Sequence, residues 1–227
     1  MNILYIVLTC EKYWTERCPT LLGTWAKRIA QGDRLLFLSA KAEPGQGKLG
    51  FDTSDDYKSA PGKYREFIKH SKDVFSSYDW VFFCDDDTYV FPPKLRAELQ
   101  LHDADTPICV GRQGVFSQPS KIFRPGRTFD FVSGGAGFAV SRKSMELLWG
   151  LIVHEKSKDH NYIYGDVTFG HWFRELGIAL IDRADILRAQ NPRHAENKDC
   201  DPHRMISYHY CNDSDFAALE IIAEISD

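Results

Sequence analysis

Three consecutive carboxylates, Asp85-Asp86-Asp87, follow the apolar run Trp80-Val81-Phe82-Phe83-Cys84 with nothing between. Neighbouring carboxylates at the end of a buried strand repel one another and resist desolvation, so a bound cation is their natural partner. A hard divalent ion such as Mn2+ or Mg2+ takes oxygen ligands and reaches on to phosphate oxygens. A solvated acidic turn would use the same residue types, but Thr88-Tyr89-Val90 directly after the triplet argues against one. Two further segments could do chemistry. Ser133-Gly134-Gly135-Ala136-Gly137 would let backbone approach a ligand closely, or would simply make a tight turn. Asp166, after Tyr164-Gly165, stands where a helical pattern begins, so it is either an N-cap or a carboxylate free to act as a base.

The elements that must position these groups alternate. Ile3 to Thr9 reads as a buried strand, and Trp14 to Ala30 as a helix with Leu21, Leu22, Trp25 and Ile29 at helical spacing. Leu35 to Leu38 is a second strand, and Lys41 to Ala60 is polar enough to be an exposed loop. Tyr64, Phe67, Ile68 and Phe75 mark a helix that returns to the strand carrying the triplet. Helices are expected from Pro92 through Leu99, up to Trp149, from Asp166 through Leu176, and from Asp213 to Ile225. Further strands are expected at Pro107–Gly111, Phe138–Val140 and Ile178–Ile181, with Gln113–Arg127 a mobile loop and Asn191–Arg204 irregular. Strand–helix alternation of this kind predicts a mainly parallel sheet covered on both faces, in one domain over residues 1–227. In such sheets ligands collect at the carboxyl ends of the strands, where the triplet lies.

Two enzyme classes place Asp-x-Asp after a strand. Dehalogenase-type phosphatases want Thr or Val two residues beyond the second Asp, where this chain has Tyr89. The surroundings fit nucleotide-sugar transfer better. Phe83 to Val90, then Ser133 to Phe138, then Asp166-Val167-Thr168-Phe169-Gly170 resemble, in that order, the fringe-like β1,3-glycosyltransferases. Leu21-Leu22-Gly23-Thr24-Trp25 is similar to that family's first helix, and Ser207-Tyr208-His209-Tyr210 resembles the C-terminal end of its core 1 β1,3-galactosyltransferase branch.

The resemblance implies a GT-A-like (Rossmann-like) α/β domain, with a mixed, mainly parallel sheet flanked by helices. It implies an inverting, metal-dependent enzyme that moves a sugar from a UDP-sugar to a glycan or glycoprotein acceptor, with Mn2+ (or Mg2+) as cofactor. Asp87 would be the direct metal ligand, with Asp85 and Asp86 on the metal, its waters or the donor. His209 would complete the metal shell, with His194 as its rival. Asp166 would be the general base, and Gly134 and Gly135 would line the sugar site. Thr9 and Arg17 are candidate uridine and diphosphate contacts. Trp172 could pack near an acceptor sugar, although a core role is the ordinary one for such an aromatic. The family carries an acid before the catalytic-loop Asp, whereas this chain has Gly165. That departure keeps open a non-catalytic sugar- or nucleotide-binding module on the same fold.

Composition excludes other classes. Hydrophobic residues make up 43% and charged residues 26% of the 227 positions, as in ordinary globular proteins. A formal charge of −4 leaves no footprint for nucleic acid or for anionic lipid. No apolar run approaches the roughly 18 residues that span a bilayer. The opening run Ile3–Thr9 is too short for a signal peptide and lacks a charged front, so a cytoplasmic, viral or microbial protein is expected, and a Golgi one only if trimmed. The six cysteines show no metal-binding spacing; Cys200 and Cys211, flanking a polar segment, are the two that could pair.

Overall fold

The computed structural model describes residues 1–116, 129–154 and 164–226. The chain opens with β1 (Ile3–Leu8), α1 (Glu11–Glu16), α2 (Cys18–Gly23), β2 (Arg34–Ser39) and β3 (Lys48–Gly50). Next come α3 (Ala60–His70), α4 (Lys72–Phe75), β4 (Trp80–Asp85), β5 (Tyr89–Val90) and α5 (Pro92–Leu99). The middle contains β6 (Ile108–Gly111), β7 (Gln113–Phe116), β8 (Phe129–Val132), β9 (Phe138–Ser141) and α6 (Arg142–Val153). The last part holds α7 (Gly165–Leu176), β10 (Ala179–Asp182), β11 (Leu187–Arg188), β12 (Ser207–Tyr208) and α8 (Asp213–Ser226).

Seven strands form the central sheet in the order β10-β6-β9-β4-β1-β2-β3. All neighbours run parallel except β9, which is antiparallel to both β4 and β6. This is the mixed, mainly parallel α/β sheet that the alternation predicts. The inner strands β1, β4 and β9 are buried on both faces, which is why they read as apolar runs. Along β1, Ile3, Tyr5 and Val7 face one core with Trp25, Phe82 and Phe216, while Leu4 and Ile6 face another with Phe67, Phe83, Met145 and Phe169. A small second sheet, β11-β12-β5, sits beyond the end of β4. It is held by α8, since the Tyr89 hydroxyl donates to Glu220 at 2.7 Å and the Tyr89 and Phe216 rings lie 5.5 Å apart.

Several boundaries differ from those expected. The helix expected over Trp14–Ala30 is three pieces: α1, α2 and a 3-10 turn over Trp25–Arg28. Pro19 lacks the amide that a continuous helix needs and sits in the first turn of α2. The helix expected to run on to Phe75 breaks at Ser71, whose φ and ψ of −117° and 25° leave the helical region. The segment Lys41–Ala60 is more than a loop, because β3 adds to the sheet edge beside β2. Gln113–Phe116 is a strand paired with β8, and the rest of the expected mobile loop, from 117 onward, lies outside the described residues. All six cysteines are free, so Cys200 and Cys211 do not pair, and the Cys211 thiol donates to the Tyr208 carbonyl at 3.3 Å. Among the described residues no helix is long and apolar enough to cross a membrane.

Candidate active site

Strand register assembles the acidic end of the site. In the β1–β4 pair, Leu8 lies beside Asp85, which brings the next residues, Thr9 and Asp86, together. The Thr9 hydroxyl donates to Asp86 Oδ2 at 2.7 Å. In the antiparallel β5–β12 pair, Val90 faces Ser207 and Tyr89 faces Tyr208, so the following residue, His209, arrives opposite the end of the triplet. The Cys211 N–H donates to the Asp87 carbonyl at 2.9 Å and fixes that approach. His209 Nε2 stands 3.2 Å from Asp87 Oδ1 and 3.5 Å from Asp85 Oδ2. One ligand atom from each of Asp85, Asp87 and His209 falls within 4.8 Å of the other two.

Electrostatics at this cluster favour a cation. Burial, reinforced by the Asp87 and Asp86 charges and offset by His209, pushes the Asp85 carboxyl up to about 7. Its side chain still keeps 32% of its surface, so an ion could reach it. Burial raises Asp86 as well, although its bonds from Thr9 and Arg17 pull it back. For His209, burial disfavours the charged ring, but the bond to Asp87 and the Asp85 charge outweigh that and raise it. Two carboxylates and an imidazole converging within reach of one ion are a donor set suited to Mn2+ or Mg2+.

The glycine segment is a spacer. Because β9 is antiparallel to β4, its beginning lies at the same sheet end as the end of β4, and residues 133–137 are delivered there. The Thr88 hydroxyl donates to the Gly135 carbonyl at 2.8 Å, and the Ser207 hydroxyl donates to the Ala136 carbonyl. A Cβ at Gly135 would stand 2.0 Å from His209 Cε1, and one at Gly134 would stand 3.2 Å from Asp166 Cβ. Adjacent glycines thus approach the imidazole of the Asp85–Asp87–His209 cluster and the Asp166 side chain. Gly137, at φ +81°, closes the turn against the Phe82 ring.

Asp166 is not an N-cap. Tyr164 occupies the cap, and Asp166 lies inside the first turn of α7. Its Oδ1 accepts from the Val167 N–H at 2.8 Å and its Oδ2 from the Gly134 N–H at 3.4 Å. Burial raises this carboxyl above its ordinary value; the two amides and the His209 charge moderate the effect. Gly165 has a packing reason, because a Cβ there would stand 2.6 Å from the Tyr64 ring.

A cleft of about 480 Å³ opens beside the cluster, lined by Thr9, Arg17, Asp85, Asp86, Asp87 and His209. Arg17 Nη1 donates to Asp86 Oδ1 at 2.8 Å and to Asp87 Oδ2 at 3.0 Å. The same cleft contains Lys63 and Tyr210, to which the sequence assigns no role. Buried Lys63 donates to the Thr9 carbonyl at 2.9 Å and to Asp55 Oδ1 at 2.8 Å, tying the loop before α3 to the end of β1. The available signal was a lysine inside the stripe Ala60, Lys63, Tyr64, Phe67 and Ile68, the buried face of α3. Tyr210 stacks on His209 with ring centroids 3.7 Å apart and is the one positive-φ residue other than glycine among the described residues. His194 is elsewhere, exposed, its Nδ1 accepting from the Glu196 N–H at 3.3 Å. Trp172 is in the core, packed against Phe169 with centroids 5.3 Å apart.

The chain is similar to known proteins in sequence and in fold. A family model described as fringe-like matches residues 1–222. A β1,3-glucosyltransferase of Mus musculus is 26% identical over 183 residues, 79% of this chain and 34% of that protein. A glycoprotein-N-acetylgalactosamine 3-β-galactosyltransferase 1 of Xenopus laevis is 24% identical over 245 residues, covering 91% of this chain and 64% of that one. The chain thus spans from about a third to just under two thirds of these relatives' length. A crystal structure of a glycosyltransferase involved in glycosylation of the major capsid of PBCV-1 superposes with a TM-score of 0.53 at 15% identity, covering 99% of this chain and 98% of that one. The bifunctional glycosyltransferase WbbM gives a TM-score of 0.54 at 11% identity, covering 100% of this chain and 52% of that one. The fold is the GT-A glycosyltransferase fold.

Proposed function

The chain belongs to the fringe-like β1,3-glycosyltransferase family, and from that premise we propose a metal-dependent, inverting transfer of a sugar from a UDP-sugar to a hydroxyl of a glycan or glycoprotein. The observation that carries this reading is the Gly134–Gly135 pair, which sets a half-buried carboxylate, Asp166, beside a three-ligand cluster of Asp85, Asp87 and His209. A transferase needs both: a centre for the departing diphosphate and a base for the incoming hydroxyl.

Asp85, Asp87 and His209 would hold Mn2+ or Mg2+, which supplies charge stabilisation to the leaving diphosphate when bound. Arg17, Thr9 and Asp86 line the same cleft; Arg17 would add a second positive group toward the diphosphate, and Thr9 and Asp86 would contact the nucleoside and donor sugar. Asp166 takes the proton of the acceptor hydroxyl. Its two amide donors hold the carboxylate in place, and its raised affinity for protons makes it a stronger base than an exposed aspartate. The acceptor oxygen bonds to the anomeric carbon as the bond to the diphosphate breaks on the opposite side. One carboxylate suffices, and an α-linked donor gives a β-linked product. All 227 residues act in this reading as one catalytic unit.

The packing of Tyr64 against Gly165 gives a steric reason for glycine where the family carries an acid. The direct test is a panel of UDP-sugars assayed for Mn2+-dependent turnover, with and without sugar acceptors. Turnover with at least one donor is expected. Joint stabilisation by UDP and Mn2+ without turnover of any donor would reduce the protein to a binding module.

A further inference from the structure

Arg17 sits at the joint between α1 and α2, and its Nη1 bridges Asp86 Oδ1 at 2.8 Å and Asp87 Oδ2 at 3.0 Å. Asp87 presents its other oxygen to His209 at 3.2 Å. One carboxylate is therefore shared between the candidate metal ligands and a guanidinium. We infer that Arg17 is a resident cation, which competes with the divalent ion for Asp87 and passes to the diphosphate when the donor arrives. Metal and donor would then bind cooperatively. This rests on the function proposed above.

Three features support the exchange. A divalent ion on Asp87 would lie close to a guanidinium on the same carboxylate, and like charges so placed repel strongly. Arg17 can move, because its side chain is 37% exposed whereas those of Asp86 and Asp87 are 5% and 14% exposed. Its Cζ lies 3.7 Å from the centroid of the Tyr13 ring, which also lines the cleft and gives the cation a face to pivot on. A diphosphate offers the guanidinium what it leaves behind, paired anionic oxygens in forked geometry. Asp86 meanwhile keeps the bond from the Thr9 hydroxyl when Arg17 departs. A merely fixed diphosphate ligand would show none of this competition.

The test is calorimetric. Mn2+ alone, UDP alone, and UDP at saturating Mn2+ are titrated into the unmodified protein, Arg17→Gln and Arg17→Lys. Removing the charge should tighten Mn2+ alone by about tenfold, the order expected for a half-exposed ion pair facing a divalent ion. UDP alone should bind Arg17→Gln much as before, because Arg17 is already engaged by carboxylates. The gain in Mn2+ affinity caused by UDP, which equals the gain in UDP affinity caused by Mn2+, should shrink. Arg17→Lys keeps the charge and should stay near the unmodified protein for Mn2+ alone. A second readout needs no variant that must fold: the Arg17 Nε–Hε NMR signal of the unmodified protein should shift when diamagnetic Mg2+ is added. Mn2+ affinity in Arg17→Gln equal to or weaker than normal, or an Arg17 signal indifferent to Mg2+, overturns the exchange while leaving the functional reading standing. An unmodified protein that takes up neither Mn2+ nor UDP refutes both.

Discussion

Substituting alanine for Gly135 adds a single methyl group where the structure has no space for it. That Cβ would lie 2.0, 2.2 and 2.5 Å from Cε1, Nδ1 and Nε2 of His209. Carbon atoms rest at about 3.5 Å, so the ring or the turn must retreat by about 1.5 Å. Retreat of the ring is hindered by Tyr210, stacked 3.7 Å away. Gly135 is not among the positive-φ glycines, so the perturbation is steric and not a backbone strain. Metal ligands tolerate displacements of only about 0.2 Å. Mn2+ affinity should therefore fall by about 10–100-fold, the range for disturbing a ligand's support. Overpacking should cost about 1–3 kcal/mol of stability, visible in a thermal melt. Gly134→Ala is the control, since its Cβ would stand 3.2 Å from the nearest atom, Asp166 Cβ, and needs a shift of only a few tenths of an ångström. It should spare Mn2+ binding and disturb turnover instead. A folded Gly135→Ala protein with unchanged Mn2+ affinity, measured calorimetrically with and without UDP, would refute the placement of His209 in the metal shell.

The other expectations are simpler. Asp87→Ala should abolish Mn2+-dependent UDP binding without unfolding the protein, His209→Ala should weaken it less, and His194→Ala should leave it alone; calorimetry in which His194→Ala has the larger effect would reverse the assignment. Asp166→Asn should lower turnover by about 10²–10⁴-fold with donor affinity nearly unchanged, and NMR of the product should show the β anomer; near-normal turnover or an α anomer would exclude direct base catalysis. Asp85 binds its proton more tightly when folded, so its contribution to stability is fully present below 3.8 and lost as pH rises toward about 7. Without metal, the melting temperature of the unmodified protein relative to Asp85→Asn should fall across that window, and Mn2+ affinity should rise with pH near 7; a flat difference would mean that burial does not control this carboxyl.

Much of this was visible in the chain. β1 and β4 are buried on both faces, so their sequences are continuous apolar runs, and the carboxylates at the end of β4 stand out against them. Other features depend on contacts between distant segments. His194 and His209 are both C-terminal histidines, and the antiparallel register of Tyr89 with Tyr208 separates them. A polar composition hid β3, whose stability comes from pairing with β2 and not from its own residues. The glycines at 134, 135 and 165 signalled close approach without saying to what; the neighbours are Asp166, His209 and Tyr64. Lys63 reads as an ordinary surface lysine until the Thr9 carbonyl and Asp55 are seen around its ammonium.

The return of the chain through β12 and α8 has a consequence in the order of synthesis. Every strand of the central sheet has been made by Asp182, and domains fold from the N-terminus as they emerge. The two carboxylates proposed as ligands are then in place, but His209 is still to come, and its segment pairs with β5 and is braced as Phe216 and Glu220 reach Tyr89. If the cluster holds an ion as proposed, its capture would be the closing event in the life of a nascent chain. A polypeptide interrupted before Ser207 would have the strands of the sheet and two of the three proposed ligands, yet no complete centre.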